Sequence, residues 1–198
     1  MKLQIILGST REGRKTEQLA KWVEHEAKKR SQLDVELIDL ADYPMPFFDE
    51  AISPRYNPER SINLHAKKFL DNLALGDAYI FVSPEYNHST SGILKNAIDY
   101  VDFQFNKKPA TVVSHGTVGG ARAIMHLREI LSESKLIVIP TTLAFTARVG
   151  EVIDTKGILD ATIAAEPYGP QFVLHSLLDE ITWYGQVLHD ARQKDAKA

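Results

Sequence analysis

Apolar and polar positions along this chain switch between two periods. Leu3 to Leu7 is a short apolar run, after which Leu19, Val23 and Ala27, flanked by Ala20 and Trp22, recur at helical spacing with charges opposite. The pattern predicts a strand followed by a helix of roughly 15 residues that ends near Ser31. Val35 to Asp39 alternates with a period of two, as in a second strand near a sheet edge. Ile62, Ala66, Phe69, Leu70 and Leu73 return to helical spacing and stop near Gly76. Ala78 to Val82 is almost wholly apolar, which suits a central strand covered on both faces, and Pro84 ends it. A third helix over Ile93 to Val101, a fourth strand over Ala110 to Val113 and a fourth helix carrying Ile124, Leu127 and Leu131 follow. Leu136 to Ile139, closed by Pro140, reads as a fifth strand, and Gln171 to Arg192 as the last helix.

Two stretches lack either period. Residues 41–61 hold Pro44, Pro46, Pro54 and Pro58 with Phe47, Phe48 and Tyr56, so they predict a lid or interface loop. Its aromatics either cover a ligand or partner or pin the loop to its own core. Residues 141–170 are ambiguous, with turns marked by Gly150, Gly157, Pro167 and Pro170. Five strands alternating with helices imply an α/β fold with a parallel sheet covered on both sides. Ligands of such sheets sit beyond the C-terminal strand ends, where the strand order reverses. The polar loops 8–16, 83–92 and 114–120 all follow strand ends. With the order 2-1-3-4-5 the first two flank that crevice and the third lies beside it.

Composition narrows the chemistry. A chain of 198 residues suits a single domain, and a net charge of −3 gives no field for nucleic acid. No apolar run is long enough for a bilayer, and the run after Met1 is too short for a secretory signal, so a cytoplasmic protein without membrane partners is expected. The absence of cysteine removes disulfides, thiolate metal sites and thiol catalysis.

The first loop, Gly8-Ser9-Thr10-Arg11-Glu12-Gly13-Arg14-Lys15-Thr16, combines hydroxyl donors and three cations ahead of a helix start. A helix N-terminus presents unpaired N–H groups and positive charge, so the combination suits a phosphate. A solvated loop with three cations is the plainer alternative. The nucleoside-triphosphate loop G-x-x-x-x-G-K-[ST] is missed because Arg14 displaces the lysine, and neither G-x-G-x-x-G nor G-x-S-x-G is present. Gly116, Gly119 and Gly120 in the third loop let backbone approach a flat ring. A helix starting near Gly119 or Gly120 would aim its positive end at the site and stabilise negative charge there. Ordinary turn glycines are again the plainer alternative.

The strings G-S-T-R-E-G-R at 8–14 and P-E-Y-N-H-S-T-S-G-I-L-K-N-A-I-D at 84–99 resemble the NADPH-dependent FMN reductases of the flavodoxin-like superfamily, which includes quinone, azo-dye and chromate reductases. The resemblance runs from about Leu3 to Ile139. It implies a three-layer sandwich and an FMN phosphate held by Ser9, Arg11, Arg14 and Thr16, with Lys15 beside them. Pro84, Glu85, Tyr86 and Asn87 would line the ring, ribityl and phosphate portions, and His115, Gly116, Gly119 and Gly120 would face the pyrimidine edge. Lys15, Thr16 and His88 depart from the residues usual in that family. The implied activity is hydride transfer from NADPH or NADH through FMN to a quinone, azo compound, flavin or similar small acceptor. The protein is expected to supply binding and tuning rather than an acid or base. The remaining five histidines fall in predicted helices and have no metal-ligand context.

Two other readings stay open: a flavodoxin-type electron carrier that does not oxidise NADPH, and a flavin-free interaction module on the same fold. The modest net charge argues mildly against the carrier. The resemblance also implies a homodimer or homotetramer, with Tyr100, Val101, Phe103 and Phe105 compatible with an interface or with a core helix end.

Overall fold

The computed structural model describes residues 1–57, 59–146 and 148–195; Pro58 of the proline-rich stretch lies outside them. Its sheet is parallel and runs β2(Asp34–Asp39), β1(Lys2–Leu7), β3(Ala78–Pro84), β4(Lys108–Gly116), with β5(Leu136–Val138) and β6(Leu143–Thr146) both paired to β4. This is the order expected from sequence, with one correction. Five strands are predicted and six are present, because the outer position beside β4 is filled in two pieces. Lys108 to Ala110 pair with β5, and Val113 to Gly116 pair with β6. Pro140, which has no N–H to give a ladder, falls in the gap between them. Thr111 Oγ1 bridges the break by donating to the Thr141 carbonyl at 2.6 Å.

Helices cover both faces. On one side α1(Thr16–Lys28) and α7(Pro170–Asp195) bury Leu19, Trp22, Val23, Leu174, Leu177 and Ile181 against Leu3, Ile5, Ile80 and Val82. On the other, α2(Leu64–Ala74), α3(Gly92–Asp99) and α4(Ala121–Glu133) bury Phe69, Leu73, Leu94, Ala97 and Leu127 against Ile6, Tyr79 and Phe81. Every residue of β3 is buried, as its unbroken apolar run demands, whereas β2 at the edge is mostly half-buried. The short helices α5(Val149–Val152) and α6(Ala161–Ala164) structure part of the stretch whose pattern is ambiguous.

Among its described residues the proline-rich stretch contains only two single-turn 3₁₀ segments, at Leu40–Asp42 and Pro54–Tyr56. Phe48 anchors it edge-to-face on Tyr100 at 5.2 Å, and Asn96 Oδ1 accepts from the Phe48 N–H at 2.8 Å. Phe47 and Tyr56 stand out into solvent. Tyr100, Val101 and Phe105 belong to the core, so of the four apolar interface candidates only Phe103 is exposed.

Candidate functional site

The loops after β1, β3 and β4 meet at the C-terminal edge of the sheet. The first is shaped by Arg14. Its guanidinium donates to the Ser9 carbonyl and makes a two-pronged pair with Asp39 at the end of β2, with Nη1 3.0 Å from Oδ1. This side chain is 11% exposed, so it serves as the internal brace of the loop. Arg11 instead lies over the Tyr86 ring, its guanidinium carbon 5.1 Å from the centroid. Lys15 is exposed and lies against Gly150 of α5. Ser9 Oγ and Tyr86 Oη share a hydrogen bond of 3.1 Å, which joins the first loop to the second.

The start of α1 is open. Lys15 occupies its N-cap position, and among the described residues no side chain accepts from the N–H groups of the first turn. Thr16 is buried, and its Oγ1 shares a 2.8 Å hydrogen bond with His115 Nε2. Burial pushes the His115 imidazole down to a pKa of about 4, so the ring is neutral near pH 7. His115 thus touches the first turn of α1 from across the sheet.

The second loop is a tight turn. Tyr86 and Ser89 exchange backbone hydrogen bonds at 2.9 and 3.0 Å, and Asn87 and His88 at its tip take φ of 48° and 67°. These left-handed values are ones that Asn and His adopt more readily than most side chains. Ser91 Oγ donates to the Gly8 carbonyl and accepts from Leu94 N–H at 3.2 Å, so it caps α3 while fastening this loop to the first.

The third loop is shorter than its sequence suggests. Ser114, His115 and Gly116 are the end of β4, and only Thr117 to Gly120 form the turn. Gly120 is the N-cap of α4 with φ 77°, and a Cβ there would come 2.8 Å from His115 N and overlap Ser114. Gly116 lies against Glu85, where a Cβ would meet Glu85 Cβ at 2.9 Å. Gly119 also has positive φ, and Pro84 closes β3 in register with His115.

One expectation is corrected. The positive end of α4 is not free to face a ligand, because Glu85 fills it. Glu85 Oε2 accepts from Arg122 N–H at 3.0 Å, and Oε1 accepts from the Arg122 guanidinium at 2.7 Å. Burial opposes ionisation of this carboxyl, but the hydrogen bonds from Arg122 and the Ala123 N–H outweigh it and hold its pKa below the usual range. Arg122, Asp39 and Ser91 are the residues that sequence reading missed. The signals were faint: a cation just past Gly119-Gly120, an acid at a strand end, and a serine ahead of a helical stripe.

The residues present fit a flavin phosphate. An anion satisfies the first-turn N–H groups of α1 that no side chain meets, beside Ser9 and Thr16 hydroxyls and the Arg11 and Lys15 charges. Among the described residues no group of three or more His, Asp or Glu stands ready for a metal, and no helix is long and apolar enough to cross a membrane.

Comparison with known proteins agrees with this architecture. The family model for NADPH-dependent FMN reductase matches residues 1–149. An NAD(P)H-dependent FMN reductase of Schizosaccharomyces pombe is 32% identical over 162 residues, 82% of this chain and 80% of the relative. An FMN-dependent NADPH-azoreductase of Staphylococcus haemolyticus is 32% identical over 73% of this chain and 76% of its own length. Among solved structures, the flavoenzyme NAD(P)H:(acceptor) oxidoreductase FerB from Paracoccus denitrificans superposes with a TM-score of 0.72 at 21% identity, covering 93% of this chain and 97% of that one. The fold is therefore that of the flavodoxin-like flavoenzymes. The chain belongs to the NADPH-dependent FMN reductase family, and its activity is that of an FMN-dependent NAD(P)H oxidoreductase.

Proposed function

We propose that the three loops hold FMN with its phosphate on the first turn of α1, and that the enzyme passes reducing equivalents from NADPH or NADH to a small acceptor of the quinone, azo or free-flavin class. The observation that carries this is the N-terminus of α1, a 13-residue helix with no side-chain cap, which begins at Thr16 behind the loop that holds Ser9, Arg11 and Lys15 and whose first-turn acid Glu17 is paired with Lys21. In this reading the Thr16 hydroxyl and the N–H groups of the first turn bind the phosphate oxygens, and the exposed Arg11 and Lys15 complete its charge balance. Arg14 acts one step back, since its bonds to Ser9 and Asp39 fix the loop that presents those donors.

Tyr86 and Asn87 form one wall of the ring site, and the turn through Gly116, Gly119 and Gly120 the other, its missing side chains letting the backbone pack tightly against Glu85, Ala144 and Ser114. When bound, FMN would supply the hydride-transfer chemistry between nicotinamide and acceptor. The protein's task is to orient the partners and exclude water. His115, neutral and engaged with Thr16, supports the phosphate end and does not relay a proton. A homodimer or homotetramer in the cytoplasm belongs to the same reading, with the exposed Phe47, Tyr56, Phe103 and Met125 available for contacts between subunits.

Visible absorption of the purified protein with FMN, before and after anaerobic NADPH and then quinone, tests the proposal. Bleaching on NADPH and recovery on quinone is the expected result. A flavin that stays oxidised identifies an electron carrier instead, and a protein that takes up no FMN overturns the reading.

A further inference from the structure

The wall of the site built on α4 holds a charge arrangement that binding and hydride transfer do not require. The Glu85 side chain is 7% exposed, while that of its partner Arg122 is 42% exposed. Its carboxylate sits on the N-terminus of a 13-residue helix, taking the Arg122 and Ala123 N–H groups as well as the guanidinium. That helix end carries roughly half a positive charge. Glu85 is also fixed by its backbone, with its N–H donating to the His115 carbonyl at 2.8 Å. The residue after it, Tyr86, bonds Ser9, so the backbone that carries the carboxylate is tied to the first loop as well as to the end of β4.

Without that carboxylate, two positive groups would face the ring site: the pole of α4 and the Arg122 guanidinium. Reduction adds electrons to a flavin ring, so positive charge beside the ring favours the reduced form and its removal favours the oxidised form. A charge held in a partly buried wall acts more strongly than one in open water.

We propose that Glu85 is a positioning residue that sets the preference of the site between oxidised and reduced FMN, by occupying the α4 N-terminus and holding Arg122. It acts through the helix end and the arginine. The proposal rests on the FMN reading above and predicts opposite effects from its two members. Glu85→Gln removes the negative charge but keeps an oxygen that accepts from the Arg122 N–H, so the helix start survives. Arg122→Ala removes the cation and leaves the carboxylate.

Dissociation constants for oxidised FMN and for dithionite-reduced FMN, measured anaerobically on wild type and both variants, provide the test. Glu85→Gln is expected to raise the ratio of oxidised to reduced dissociation constants at least fivefold, and Arg122→Ala to lower it at least threefold. A loss of packing alone would weaken both forms together, so unchanged ratios, or ratios that move the same way in both variants, overturn the proposal. Should Glu85→Gln fail to fold, the surface variant Arg122→Ala decides alone by the direction of its shift. A wild-type protein that binds neither form of FMN removes the FMN reading itself, and this proposal with it.

Discussion

Two helices, α1 and α4, begin at the same edge of the sheet, each 13 residues long, and their first turns are satisfied in opposite ways. The α4 turn is completed from within by the Glu85 carboxylate, whereas the α1 turn meets no side-chain cap. Around α1 the nearby side chains include the Ser9 and Thr16 hydroxyls and the Arg11 and Lys15 cations, while the first-turn acid Glu17 is paired with Lys21 and Arg14. A helix end completed by the chain is structural, and one left open with like charge around it is prepared for an anion from outside. The difference separates the two halves of the site. On the proposed reading one receives the phosphate, and the other is a closed wall whose charge is already set.

Giving α1 the acid that α4 already has is the strongest way to break the contrast. Lys15→Asp places a carboxylate at the N-cap, where it competes for the same N–H groups and repels a phosphate. FMN affinity measured by calorimetry is expected to fall hundredfold or more, about 3 kcal/mol. The same variant without FMN gains about 0.5 kcal/mol in urea unfolding from an acid at the positive end of the helix. A variant that binds FMN as well as wild type would separate the α1 end from the phosphate.

Acid probes the contact between β4 and α1. His115 titrates near 4 in the folded chain and near 6.5 when unfolded, so the unfolded state binds the additional proton between those values. Its contribution to stability is complete above pH 6.5 and is lost as pH falls through 4, on the order of 3 kcal/mol in all. Urea unfolding of His115→Gln at pH 7 and 4.5 is expected to show a shallower acid loss than wild type. Equal slopes would mean that the imidazole is not buried in solution.

Arg11 sharpens the contrast by a smaller amount. It stacks on Tyr86 and is free to reach a phosphate, so Arg11→Ala is expected to weaken FMN about tenfold, close to 1.4 kcal/mol, in a fluorescence titration. Unchanged affinity would leave Arg11 a role on Tyr86 alone. At α4, Glu85→Ala is expected to cost about 1 kcal/mol of thermal stability through the lost cap, and a variant as stable as wild type would show that the carboxylate is dispensable there.

Local pattern carried most of the fold. The unbroken apolar run of β3 and the helical stripes of α1, α3 and α4 need only near neighbours, so their places were legible from the chain itself. β6 was not: Leu143 to Thr146 is four residues long, follows Pro140-Thr141-Thr142, and becomes a strand only because Val113 to Gly116 offer it a partner. The site divides along the same line. The donors of loop 8–16 cluster in sequence and could be named, but Arg14 is claimed by Asp39, 25 residues on, and Glu85 by Arg122, 37 residues on. Which charged groups are spent on each other depends on long-range pairing, and no spacing rule within one loop reports it.

The comparison of FMN with riboflavin tests the central claim most directly, since the two share the ring and ribityl chain and differ only in the phosphate. With the phosphate on the open turn of α1, wild-type protein is expected to bind FMN at least a hundredfold more tightly than riboflavin in a fluorescence titration at low salt, and Lys15→Asp to erase most of that gap. Equal affinity for the two flavins in the wild-type protein would contradict the account.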